Sequence, residues 1–206
     1  MRKSISAVAV ISALAFIVAA PLYPIDRLEQ VKKDLAAAGC VTIDFLSILE
    51  SDIFDRTDTV AGQAVLASDG RYSVQLGTDW YLSDLTYAYA YSPENNQVTI
   101  EEISDNPDHA REISFVTRLD EFYESSILKP GMQYRLVRKG ENVRSIPDSL
   151  VLYLLEDTLR IRQLEYLDIN DELNRIVFQS QRIDSVCPDS VFVPAFPDTA
   201  EQIRMF

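Results

Sequence analysis

The sequence predicts a mostly β protein of the α+β class, in which antiparallel strands follow one another as a meander. Three observations predict it. Short runs with period-two alternation recur along most of the chain, turn residues separate them, and helical spacing is confined to two segments.

The first residues stand apart from this pattern. Arg2 and Lys3 precede a run from Ser4 to Ile25 that has no charged side chain and many small residues, the layout of a secretory signal over residues 1–24. An uncleaved anchor is the rival reading, since about 20 charge-free residues can span a bilayer as a helix. Pro21 and Pro24 interrupt the end of the run, and Ala and Ser keep it only moderately apolar, so the signal is preferred. Residues 25–206 then make one domain, long enough for a sizeable core.

Apolar residues at Ile25, Leu28, Val31 and Leu35 predict an amphipathic helix over Ile25–Ala38, ended by Gly39. From Cys40 the period changes, with Val41, Ile43 and Phe45 alternating with Thr42 and Asp44. Further strands are expected at Val60–Ala67, Arg71–Leu76, Trp80–Ser83, Leu85–Tyr91 and Gln97–Ile103, separated by Asp-Gly, Gly-Thr-Asp and Ser-Pro-Glu-Asn-Asn turns. The pattern breaks at Ser104–Lys129. Ile113, Phe115, Val116, Leu119, Phe122, Tyr123 and Leu128 recur at helical spacing there and predict one or two helices ending before Pro130-Gly131. Strands resume at Gln133–Arg138, Leu150–Leu155, Leu159–Asp168, Asn174–Arg182 and Val191–Val193.

Composition argues against several functions. Acidic residues outnumber basic ones by 32 to 19, so a polyanion such as nucleic acid is an unsuitable partner. His109 is the only histidine, which leaves a Ser-His-Asp or Cys-His machine a single candidate base. Cys40 and Cys187 are the only cysteines, too few and too far apart for a zinc site or a redox dithiol, although an oxidising compartment would let them pair. No phosphate-cradling glycine loop and no metal-ligand spacing occurs, and Glu101-Glu102 with Asp105 reads as chance clustering in an acidic chain. The reading is of a non-enzymatic protein without cofactor or metal.

Large apolar side chains sit on alternating strand positions, among them Phe45, Tyr72, Val74, Leu76, Trp80, Tyr87, Tyr89 and Tyr91. They fit an ordinary packed core. They also fit a curved sheet that encloses a cavity for a hydrophobic ligand, with the apolar segment Ile113–Leu128 across it.

The order of the segments resembles the LolA family of periplasmic lipoprotein carriers. The resemblance rests on the N-terminal helix, the strand Val-Thr-Ile-Asp-Phe, then Gly62-Gln-Ala-Val-Leu, Asp69-Gly-Arg-Tyr, Leu82-Ser-Asp, Tyr89-Ala-Tyr-Ser-Pro and Asn96-Gln-Val-Thr. It extends to Asp189-Ser-Val-Phe with Pro194 and Pro197 beyond, and so covers roughly Arg27 to Ile203. It implies a half-open antiparallel β-barrel, a curved sheet covered by a helical lid, and a monomer that shields acyl chains without covalent chemistry. By position it implies that Val41, Ile43, Phe45, Tyr72, Val74, Leu76, Tyr89 and Tyr91 line the acyl-chain cavity. It likewise implies that Ile113, Phe115, Val116, Leu119 and Phe122 form the underside of the lid. The implied partners are lipoprotein acyl chains, an inner-membrane exporter as donor and an outer-membrane acceptor. The family commonly has a basic residue just before the strand that contains Tyr72, and in one branch that residue holds the lid shut; this sequence has Ala67-Ser68-Asp69 there, and its lid region is more acidic. A second expectation, from a different class, is a regulatory sensor of the same fold that binds lipid or lipoprotein and controls a membrane partner.

Overall fold

The computed structural model of the protein describes residues 26–51, 55–104, 115–140 and 146–205. The expected signal segment, His109 and Ile113 lie outside the described residues.

Helix α1 runs Arg27–Ala37 and buries Leu28, Val31 and Leu35, the face that the spacing predicts. Asp26 caps it by accepting from the Leu28 backbone N–H at 3.1 Å. The same carboxylate oxygen accepts from the Tyr134 hydroxyl at 2.6 Å, so the cap also fixes the helix to the sheet. Gly39 is not the helix cap; Ala38 is, in extended conformation. A Cβ at position 39 would lie 1.8 Å from the Ser185 carbonyl oxygen, so glycine is required by the close crossing of two chain segments.

The strands are β1 Cys40–Ser51, β2 Arg56–Ala67, β3 Tyr72–Leu76, β4 Asp79–Ser83, β5 Tyr87–Ser92 and β6 Gln97–Glu102, then β7 Tyr123–Lys129, β8 Gln133–Arg138, β9 Ser149–Leu154, β10 Ile161–Leu167, β11 Leu173–Asp184 and β12 Glu201–Met205. They form one 12-stranded sheet of order β12-β6-β5-β4-β3-β2-β1-β11-β10-β9-β8-β7. Two antiparallel meanders, β1–β6 and β7–β11, meet where β1 pairs with β11. The terminal strands of this order, β12 and β7, do not pair with each other, so the barrel is open. Leu28, Val31 and Leu35 of α1 share one apolar cluster with Val41 and Tyr72 on one side of the sheet and Tyr134, Leu152 and Leu164 on the other. A single helix can touch both halves only if the sheet curves around it. Among the described residues no helix is long and apolar enough to cross a membrane.

Three expected elements differ. The helical expectation over Ser104–Lys129 gives, among its described residues, a 3₁₀ turn at Phe115–Thr117 and one α-helical turn at Leu119–Phe122. Tyr123–Lys129 is strand β7, not helix. Pro130-Gly131 is therefore a hairpin turn between β7 and β8, with Gly131 at φ +69° and the Met132 N–H donating to the Lys129 carbonyl. Val191–Val193 is not a strand, because Asp189–Phe192 forms a 3₁₀ turn. The last strand is instead β12, fully exposed and parallel to β6, a placement that no local alternation announces.

Candidate functional site

The concave face of the sheet divides into two zones. Under α1, Val41, Ile43, Leu66 and Tyr72 are buried as packed core. Further along β1 and β3, and on β4, β10 and β11, Phe45, Val74, Tyr81, Tyr166, Ile176 and Phe178 are only half-buried and pack against that core.

Register explains why these six residues meet. Phe45 is paired directly with Phe178 on β11 and with Gly62 on β2. A Cβ on Gly62 would stand 2.4 Å from the Phe45 ring, so the absent side chain is where the ring lies. A β-bulge between Asp44 and Phe45 shifts the register, setting Asp44 opposite Ser180 but Phe45 opposite Phe178. The extra residue brings Phe178 onto the concave face. Val74 lies opposite Tyr81, carrying the patch across β3 to β4. Burial raises the Tyr166 phenol above its ordinary pKa, so that group stays neutral through the physiological range.

Phe115, Val116, Leu119 and Phe122 are all buried and join the same cluster as Val41 and Tyr72. The segment that carries them is held by Lys32 of α1, whose side chain is 5 % exposed. Its ammonium meets Asp120 and Glu29, each at 2.7 Å, and donates to the Ser125 hydroxyl at 3.1 Å. Burial alone would lower the Lys32 pKa, but the hydrogen bonds and charges of Asp120 and Glu29 outweigh it and the pKa is raised. Lys139 adds a bond from its ammonium to the Asp120 carbonyl at 2.5 Å. Between this segment, α1 and the paired ends of β1 and β2 lies an open cleft of about 530 Å³, with Leu35, Val41 and Leu66 as apolar lining and Asp69, Arg118 and Glu121 as polar lining.

The sequence-expected residues thus separate. Val41, Ile43 and Tyr72 lie on the concave face as buried members of the core, Val41 also lining the cleft beside α1, whereas Phe45 and Val74 belong to the half-exposed patch. Leu76 shares their strand alternation and is half-buried beside them. Tyr89 and Tyr91 do not join them. The two-residue turn between β3 and β4 pairs Leu76 with Asp79 and so Val74 with Tyr81; Tyr81 is in turn opposite Ala90. Alternation therefore sends Ala90 to the concave face and Tyr89 and Tyr91 to the convex one. There they pack with Phe196, at centroid distances of 5.7 and 5.4 Å. Tyr81, Tyr166, Ile176 and Phe178 are the concave residues that alternation alone did not single out, and the two-residue turn length was the available signal for Tyr81.

Cys40 and Cys187 are joined in a disulfide, with Cα atoms 4.9 Å apart. Both are buried with Phe192 in a small cluster beside Val65, Ala67 and Val191.

No protein-family model matches the chain, and no curated protein matches it. Solved structures do. An uncharacterized conserved protein from Thermus thermophilus is 13% identical with a TM-score of 0.51, covering 87% of this chain and 97% of that one. A LolA superfamily protein from Nitrosomonas europaea is 9% identical with a TM-score of 0.44, covering 81% of this chain and 97% of that one. A putative outer membrane lipoprotein-sorting protein domain from Vibrio parahaemolyticus is 12% identical with a TM-score of 0.43, covering 81% and 94%. The Thermus protein shares the fold of this chain, and LolA superfamily and lipoprotein-sorting proteins are among its structural neighbours.

Proposed function

We propose that this protein is a periplasmic carrier that holds lipoprotein acyl chains on the concave face of its sheet. In this reading it takes them from an inner-membrane donor and passes them to an outer-membrane acceptor. One observation carries the reading: six half-buried apolar residues, Phe45, Val74, Tyr81, Tyr166, Ile176 and Phe178, share the concave face and pack against the buried core. A sheet that needed only to fold would close over such a surface, since each buried methylene stabilises by about 0.8 kcal/mol. Left open, it offers that gain to a ligand. The ligand need not be held tightly, because a carrier must also release it. The covering segment buries Phe115, Val116, Leu119 and Phe122 in the core and is tied to α1 by the Lys32–Asp120 contact, so it closes one end of the face and leaves the other open. The Cys40–Cys187 disulfide supports an oxidising, extracytoplasmic compartment, and the sequence resemblance to LolA carriers points to the same place.

Extraction tests the reading. The protein is purified from membrane-containing cells without detergent, extracted with organic solvent and analysed by mass spectrometry. Acyl species in near-stoichiometric amount are expected in the extract. An extract free of acyl species, from protein that also fails to bind a fluorescent fatty-acid probe, would contradict the proposal.

A further inference from the structure

The convex face carries a second cavity, built from residues that the acyl reading does not use. After the 3₁₀ turn at Asp189–Phe192 the chain crosses β5 and β6 as a strap before it becomes β12. Beneath the strap is a cavity of about 310 Å³. Val98 and Ile100 are its buried floor, and Tyr87, Tyr89 and Phe196 are aromatic walls. For scale, an apolar cavity of about 150 Å³ accepts benzene, so this one has room for a ring or branched side chain and a short polar end.

The strap is fixed in place. The Asn96 side-chain amide donates to the Thr199 carbonyl at 2.8 Å, the Glu201 N–H donates to the Asn96 carbonyl at 2.9 Å, and Phe196 is packed among Trp80, Tyr89 and Tyr91. The Tyr89 hydroxyl is engaged with Asp84 at 2.9 Å, which leaves its ring to the cavity. Parallel pairing sets Arg204 beside Ile100, so both point to the convex side. Asp198 and Arg204 are exposed and line the same cavity. Neither has an ion-pair partner among the described residues, and they do not pair with each other. A cavity with apolar walls and two separate, opposite, unpaired charges at its lip is complementary to a small zwitterion with an apolar side chain.

We propose that this pocket binds a free apolar α-amino acid, with its side chain on the Val98 and Ile100 floor against the rim of aromatic rings formed by Tyr87, Tyr89 and Phe196, its carboxylate on Arg204 and its ammonium on Asp198. The pocket is on the opposite face from the acyl-binding patch and stands independently of it. Trp80 is the only tryptophan, and its ring lies 5.2 Å from that of Phe196, so its fluorescence reports occupancy. Titration of the purified protein with L-phenylalanine should give a saturable change in that fluorescence. Phenylpropionate and phenethylamine each lack one charge and should bind about tenfold or more weakly. Arg204→Gln and Asp198→Asn, both at exposed positions, should each weaken L-phenylalanine by a similar factor. Arg204→Gln should leave phenethylamine unchanged, and neither variant should alter acyl-probe binding. Absence of a saturable response to both L-phenylalanine and L-leucine would overturn the proposal, as would equal binding of the three phenyl compounds or indifference to both substitutions.

Discussion

Lys32 ties the segment that covers the concave face to α1 through Asp120. It is nearly buried, while the carboxylates that meet it, Glu29 and Asp120, are more than half exposed. Removing the ammonium therefore leaves no buried charge behind, because the acids can hydrate. Lys32→Met is expected to lower global stability by only about 1 kcal/mol or less in urea unfolding. It should nevertheless raise amide hydrogen exchange across 115–122 and speed entry of an acyl probe. Unchanged exchange in that segment would mean that apolar packing alone holds it. The pH dependence has a definite sign. Because the Lys32 pKa is raised on folding, its contribution is fully present below the ordinary lysine value of about 10.4 and is lost only as alkaline pH passes through the raised value. Sequence alone placed Lys32 on α1 but could not pair it with Asp120, which is 88 positions away by number and is brought close only by the tertiary fold. The same limit applies to Phe45 and Phe178, whose meeting depends on a β-bulge that leaves no mark in local alternation.

Elements were legible where one face is buried and the other is not. α1 follows its expected period closely, with Leu28, Val31 and Leu35 buried on one face, whereas β1 was legible from the alternation Val41, Ile43 and Phe45 in sequence although none of its residues is exposed. β7 was read as helix because Phe115, Val116, Leu119 and Phe122 do share helical spacing, and the spacing runs into Tyr123 without a break. Beyond Tyr123 every β7 residue is exposed, so burial gives no period to read. β4 shows a different ambiguity: Trp80, Tyr81 and Leu82 are consecutive and large, and only the turn before them decides which face Tyr81 takes. The disulfide acts at this scale by fastening the start of β1 to the segment after β11, across a sequence separation of 147. Replacing both cysteines with serine should destabilise the protein by roughly 3–5 kcal/mol, chiefly by freeing the unfolded chain. Equilibrium denaturation of the double variant against the oxidised protein measures it, and a difference below about 1 kcal/mol would show that the native bond is offset by strain or by residual structure in the unfolded chain.

At the scale of the molecule, the architecture puts opposite demands on one sheet. Its closed end is a packed core beneath α1, which supplies stability, and its open end leaves aromatic and aliphatic side chains half-covered. The N- and C-terminal meanders contribute facing halves of that surface, joined at the β1–β11 ladder, so neither half makes the patch alone. Fold class and the presence of an apolar concave face could be read from the sequence, because period-two alternation and turn chemistry report them directly. The boundary between sealed core and open surface could not, since Tyr72 and Val74 look alike in sequence and differ only in what lies above them. The central claim is that acyl chains occupy the open part of the concave face. Photo-crosslinking with a diazirine-bearing fatty acid, followed by peptide mapping, tests it most directly. Adducts are expected on peptides carrying Phe45, Val74, Tyr81 and Phe178, and they should be competed away by unlabelled acyl chain. Adducts confined to the convex cluster of Trp80, Tyr91 and Phe196, or labelling that excess acyl chain does not reduce, would contradict the account.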